Sequence, residues 1–305
     1  MGNRTSLFGK QQPGGAFIIT DQATTTGNVW FVHSGTGTDA SRNGYTPDVP
    51  FATIDYAIGK CTANNGDTII VMPNHAENVA SATGCVCDVA GVTIVGQGVG
   101  AQIPAVSLTT AAAATISITA ADVTIKNINL ISNYTGGVTA GITLGAAADG
   151  CVLDGIVFNE TANTKEFLIG VKVTADCDNI TIQNCRYYGI AGGTTSSIIS
   201  LLGGADRSVI RNNFLSGDCS AALLKADAAA SSDLLIQDNV IINVDAGAGL
   251  GVANHNSSTG FVVGNVCYNA KDTIAPFTGT GMAYCENYGT NAANASGIIL
   301  PAVDS

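Results

Sequence analysis

His75 and Glu77, in the phrase Pro73-Asn-His-Ala-Glu77, set an imidazole two residues from a carboxylate. Such a couple can pass a proton, the first requirement of general acid–base chemistry. Cleavage of a glycosidic bond asks for two carboxylates roughly 5–10 Å apart across a groove, one of them raised in pKa. Asp154, one repeat away from Asp122 and Asp178, is the pairing the sequence offers for that role. Asp122, Asp149, Asp178, Asp206 and Asp233 each fall three or four places before a recurring aliphatic residue. They would line up as an acidic ridge able to hold calcium, although Asp side chains that form turns account for the same spacing. The nine cysteines (61, 85, 87, 151, 177, 185, 219, 267 and 285) are odd in number, and no histidine stands near a close Cys pair. They read as small buried hydrophobes of a reducing compartment, not as zinc ligands. No set of nucleophile, base and orienting group assembles, so no catalytic, cofactor or metal residue is assigned.

The elements that must position these residues are legible from repetition. Val123-Thr-Ile-Lys-Asn127, Val152-Leu-Asp-Gly155, Ile180-Thr-Ile-Gln-Asn184, Val209-Ile-Arg-Asn212, Leu235-Ile-Gln-Asp238 and Val262-Val-Gly-Asn265 carry one phrase. Marking the aliphatic two places before the turn residue gives Ile125, Leu153, Ile182, Ile210, Ile236 and Val263, with gaps of 28, 29, 28, 26 and 27 residues. A fixed period in this range signals stacked units that bury their apolar faces only against their neighbours. A second apolar run precedes most markers, as in Ile116-Ser-Ile118, Ile142-Thr-Leu144 and Val171-Lys-Val173, and alternates with period two. Leucine-rich repeats need several Leu at fixed offsets, whereas Ile, Val, Leu, Ala and Cys are mixed here. The expectation is an all-β, right-handed parallel β-helix of about 8–10 coils with two or three short strands each, the coils about 4.8 Å apart. Asn127, Asn184, Asn212, Asn265 and Asn287 would form an internal amide ladder at one corner, since Asn tolerates the left-handed conformation and bonds to its equivalent one coil away.

Composition excludes several function classes. A net charge of −11 argues against a nucleic-acid partner, which needs a basic face. No stretch approaches 18 uninterrupted apolar residues, so a membrane span is not expected. The amino terminus, Met1-Gly-Asn-Arg-Thr-Ser-Leu7, lacks the layout of a secretory signal, which suggests assembly in the cytoplasm.

Residues 1–28 stand outside the repeat as an arm. Leu7, Phe8, Phe17, Ile18 and Ile19 are its candidate attachment residues. Residues 29–66 read as a cap: a strand at Val29–Val32, a loop, then a short amphipathic helix on Phe51, Ile54 and Ile58. Such a lid covers the hydrophobic end and open edges of a first coil. The solenoid would occupy 67–290 and a tail 291–305.

Gly37-Thr-Asp39, Gly44-Tyr-Thr-Pro-Asp-Val-Pro-Phe51, Gly66-Asp-Thr-Ile-Ile-Val71 and Pro73-Asn-His-Ala-Glu77 resemble the opening of pectate-lyase-like β-helix proteins, especially those of tailed bacteriophages. The resemblance implies the fold and its capping helix over roughly 29–290, and it places His75 and Glu77 at the junction of cap and rod. It says little about activity, because the superfamily includes lyases, hydrolases, tailspikes and inert rods. The hydrolase signatures Asn-Thr-Asp and Asp-Asp with Arg-Gly-His are absent. The lyase branch implies an Arg base beside calcium-binding Asp; Arg186, Arg207 and Arg211 lie mid-rod without a denser acid cluster. The Tyr187-Tyr188 doublet alternates faces, so at most one ring is free to stack on a sugar.

The expected function is a structural component of a tailed-phage virion: a capsid-decorating, head-fibre or spike-like rod. It would associate as a homotrimer and attach through its arm to a capsid or tail protein. The alternatives are a tailspike-type polysaccharide depolymerase, or an adhesin, with a host surface glycan as partner.

Overall fold

The computed structural model describes residues 27–247, 249–271 and 275–291. They form a parallel β-solenoid with three flanks, sheets of ten, nine and eight strands. Each turn lays one short strand in the ten-stranded sheet, bends sharply into the nine-stranded sheet, then crosses by a loop to the eight-stranded one. All pairings between successive turns are parallel. The second apolar runs of the sequence are strands of the eight-stranded sheet. The nine-stranded sheet begins just past each marker phrase, where Leu130, Phe158, Tyr187, Leu215 and Ile241 point inward.

The core is a set of columns. Ile125, Leu153, Ile182, Ile210, Ile236 and Val262 stack in register and are all buried. The last member is Val262 and not Val263, because Gly264 takes the corner and Asn265 falls one place later.

That shift corrects the amide ladder. Asn127, Asn184 and Asn212 hold the left-handed corner, with φ of 54°, 56° and 55°, and share it with Gly155, Asp238, Gly264 and Glu286. The ladder stands one residue further on and consists of Asn213, Asn239, Asn265 and Asn287, all buried. Oδ1 of Asn239, Asn265 and Asn287 accepts the backbone and side-chain N–H of the Asn one turn earlier, at 2.9–3.0 Å, and Asn213 Oδ1 accepts the Cys185 amide. Each Nδ2 also donates to a carbonyl of an earlier turn, as Asn239 does to Ile210 O at 3.0 Å. In the earlier turns Ile128, Ile156 and Cys185 fill this position, so one inward corner is apolar in the first half of the rod and amide in the second. Asn127 instead bonds outward, its Nδ2 donating to the carbonyls of Gly96 and Gly98.

At the first turn, Val29–Val32 pairs with Thr68–Val71 as the end strand of the ten-stranded sheet, and the helix lies between them in sequence. The helix spans Ile54–Ile58; Thr53 caps it by accepting the Tyr56 amide, and Asp39 accepts the Ala52 and Thr53 amides ahead of it. Ile54, Ala57 and Ile58 are buried. Phe51, expected in the helix, lies before it in a bridge to Val32 and is fully buried. Asp39, bound to the Ala52 and Thr53 amides, and the extended N-cap Thr53 set the helix start after Phe51. Among the described residues no helix is long and apolar enough to cross a membrane. The arm residues Leu7, Phe8, Phe17, Ile18 and Ile19 lie outside the described residues.

Two stability outcomes follow. Ile182→Asp buries an unpaired carboxylate between Leu153 and Ile210 and should cost several kcal/mol; an unchanged denaturant midpoint would refute the column register. Asn239→Ala strands donors on Asn213 and the carbonyl of Ile210, and should cost about 2 kcal/mol or more. Asn212→Ala loses only the left-handed preference, about 1 kcal/mol. Equal losses in the two variants would contradict the division of corner and ladder.

Candidate functional site

Most polar groups singled out in the sequence are consumed by the scaffold. His75 is buried: its Nδ1 accepts the Ser34 amide at 3.0 Å, so the ring proton sits on Nε2 and points at Glu77 Oε2, 3.1 Å away. The same Glu77 oxygen accepts the Ile54 amide at 3.0 Å. The couple ties the helix start to the first turn. Asp149, Asp178 and Asp206 form a carboxylate ladder, accepting the amides of Asp178, Asp206 and Ser232 one turn on. Asp122 and Asp233 occupy the adjacent left-handed position. Among the described residues no three His, Cys, Asp or Glu side chains group closely enough to hold a metal ion.

Asp154 and its proposed partners are not brought together. Asp154 ends its strand and accepts Asn184 Nδ2 at 2.7 Å, whereas Asp122 and Asp178 lie in the turns that precede their strands. Arg207 pairs with Asp178 at 2.7 Å, and Arg211 donates to Gln183 at 2.9 Å. Arg186 is exposed on the nine-stranded sheet. Tyr187 points into the core, and Tyr188 points out and rests against Phe214.

Sequence reasoning missed a carboxylate cluster. Glu160 and Glu166 meet at the corner between the nine- and eight-stranded sheets, with Thr195 Oγ1 3.3 Å from an oxygen of each. The two oxygens are therefore no farther apart than twice that distance. Glu160 also accepts Tyr187 OH and the amides of Phe167 and Ile190. Burial raises its pKa above the ordinary carboxylate range, with these hydrogen bonds opposing the shift. Glu166 is buried and accepts Thr194 and Thr195 donors. With their lone pairs so occupied, the two acids pin the loop at 190–195. The available signal was scarcity, since only four Glu occur and these two lie six residues apart.

One open concavity among the described residues lies on the eight-stranded sheet, a groove of about 250 Å³. Ser117, Thr143 and Lys172 form its floor in one outward column. Thr115, Thr139 and three alanines (Ala82, Ala113 and Ala140) form its sides. Thr115 and Thr143 hydroxyls are 3.1 Å apart. The lining holds hydroxyls and one ammonium and, among the described residues, no carboxylate. It is suited to hold a polar ligand. At below the roughly 300 Å³ of compact small-molecule pockets, it has room for part of a longer chain.

No protein-family model matches the chain, and no curated protein matches it in sequence. Among solved structures, a GH136 lacto-N-biosidase from Eubacterium ramulus is similar over 86% of this chain and 56% of its own, with a TM-score of 0.52 and 12% identity. The architecture the two share is that of a parallel β-helix. A rhamnogalacturonan lyase is similar over 87% of this chain and 66% of its own, with a TM-score of 0.46 and 14% identity. This chain thus spans just over half of the first protein's length and about two thirds of the second's. At these identities the likeness is one of fold.

The Glu160 environment sets a pH dependence. Its folded pKa lies above the unfolded value, so between the two the folded chain binds the extra proton, and stability falls as pH rises through that window. Urea midpoints of the wild type should therefore fall relative to Glu160→Ala as pH rises through and above the ordinary carboxylate range. A difference independent of pH would remove this assignment.

Proposed function

We propose that the protein engages a surface polysaccharide along the groove of the eight-stranded sheet, with the rod serving as the body of a tailspike-like or fibre-like phage component. The observation that carries the reading is the groove itself: hydroxyl donors and a cation aligned along the axis on which the turns stack. An extended glycan offers a matching row of hydroxyls, and each direct hydrogen bond contributes modestly while their sum gives useful affinity. A carbohydrate ligand also agrees with the fold's likeness to a lacto-N-biosidase, which bears on this chain only through shared architecture. The groove lining lacks an acid–base pair among the described residues, so the reading is one of binding, with cleavage as the competing outcome. The phage placement rests on the N-terminal phrase. Threefold association rests on a charged fraction of only 11%, which gives the flanks little polar cover.

Purified protein should be retained by at least one member of a panel of bacterial capsular and lipopolysaccharide glycans, without release of shorter products. Loss of retention in Thr143→Val with an unchanged melting profile would localise binding to the groove. Release of new reducing ends or unsaturated sugars would replace binding with depolymerase activity, and no retention by any glycan would refute the proposal. Light scattering should report a trimer; a monomer would remove the threefold assembly.

A further inference from the structure

The corner between the nine- and eight-stranded sheets gathers acids without a cation. Glu160 accepts the Ile190 amide at 3.1 Å, and Asp218 accepts the Gly192 amide at 2.9 Å. Glu166 accepts the Thr194 hydroxyl at 2.6 Å and the Thr195 amide at 3.2 Å. The crossing segment 190–195 is thus held by three carboxyl groups, and at Gly193 a Cβ would collide with that of Glu166. Tyr187 and Cys219, both buried, complete the corner, and Asp245 adds a further negative charge beside Cys219. Burial and these acids push the Cys219 thiol up, so it stays neutral. The cations nearest in sequence point elsewhere: Lys165 donates to Asn133 Oδ1 at 2.8 Å, and Arg186 is exposed on the outer face. Among the described residues no ammonium or guanidinium pairs with Glu160, Glu166 or Asp218.

The oxygens here outnumber the protons. Tyr187 OH, Glu160 Oε1, Thr195 Oγ1 and Glu166 Oε2 stand in a chain with links of 3.0, 3.3 and 3.3 Å. Each link needs one proton between its two oxygens. Tyr187 and Thr195 carry one hydroxyl proton each, so two ionised carboxylates leave one link as lone pairs in contact. A further contact, Tyr187 OH to Thr195 Oγ1 at 3.4 Å, adds to the shortage. One carboxyl proton completes the chain. It sits on Glu160 when Thr195 donates to Glu166, and on Glu166 when Thr195 donates to Glu160. Two like charges joined through one hydroxyl in a buried corner also resist ionising together.

We propose that Glu160 and Glu166 share one proton through Thr195, and that this proton latches the segment 190–195 onto the solenoid. With the proton bound, every link is filled and the segment's amides are held. Once it is lost, both acids are anionic, and their repulsion is relieved when the segment lifts and water enters. Gly192, at a φ of 80°, and Gly193 give the segment the backbone freedom to do so. The closed corner binds one more proton than the open one. Closure is therefore complete at low pH and is lost as pH rises through and above the ordinary carboxylate range.

Two measurements on the full chain test the latch. The only Glu residues are 77, 160, 166 and 286, so carbon-13 labelling of the Glu carboxyl carbons gives an NMR spectrum of four signals, with Glu166→Gln assigning one by its loss. The Glu160 and Glu166 signals should move together in a titration displaced above the ordinary carboxylate range. Hydrogen exchange of the 190–195 amides, corrected for the intrinsic effect of pH on exchange, reads the segment itself. Wild-type protection should fall by up to about tenfold per pH unit across that titration, the slope of one proton. Protection of the strand Thr181–Gln183 should stay constant. Glu166→Gln frees the Thr195 proton for Glu160, which can then ionise with the segment in place, so its fall in protection should shift to lower pH. Asp218→Asn lies outside the chain of oxygens and should keep the wild-type profile. Wild-type protection that does not change with pH, or an identical profile in Glu166→Gln, overturns the latch. A wild-type spectrum in which all four signals titrate in the ordinary range overturns the shared proton, whether or not the variant folds.

Discussion

Backbone pairing between successive turns is the constraint on which the rest depends. Because each strand bonds to its equivalents above and below, equivalent residues stack in columns along the rod. At each level a buried position must be apolar or have its polar groups satisfied by the levels beside it. The column Ile125–Leu153–Ile182–Ile210–Ile236–Val262 takes the first solution. The column Asn213–Asn239–Asn265–Asn287 takes the second, each amide completing its neighbour's hydrogen bonds. The corner just before it is held by residues that accept a positive φ, and this sharp bend lets two sheets meet with no loop between them.

The same constraint explains why so few candidate chemical groups are free. A carboxylate in a turn stands beside a backbone amide of the next turn, and Asp149, Asp178 and Asp206 accept those amides. Glu77 with His75 fastens the helix to the first turn, and Glu160 with Glu166 fastens a loop whose amides would otherwise be buried without partners. Groups used this way acquire burial, close partners and, for Glu160, a raised pKa. Those features also mark active sites, and what separates the two cases is access to a groove.

Function on such a rod belongs to its outward columns. Inward positions are committed to packing, whereas outward ones vary without disturbing the stack. On the eight-stranded sheet Ser117, Thr143 and Lys172 stack along the axis on the groove side, with a repeat set by the backbone. A polymer that extends along the axis can use several turns at once, and weak contacts at each turn then add.

The repeat period, the alternating strands and the inward aliphatic residues were determined by the sequence alone, because periodic burial leaves a periodic pattern. The short helix and the Val29–Val32 strand were legible from local spacing, although Phe51, read into the helix, lies before it. What sequence left undecided was the identity of lateral neighbours. Asn212 and Asn213 are adjacent and chemically identical, yet one forms the corner and the other the ladder, and only the register across turns separates them. Val263 and Val262 pose the same one-residue ambiguity, because slipping a strand by one exchanges its buried and exposed faces. Glu160 and Glu166 met through Thr195, about 30 residues on, a product of the stack. Contacts within a strand can be read from the chain; contacts between turns exist only once loop lengths have set how the turns superpose.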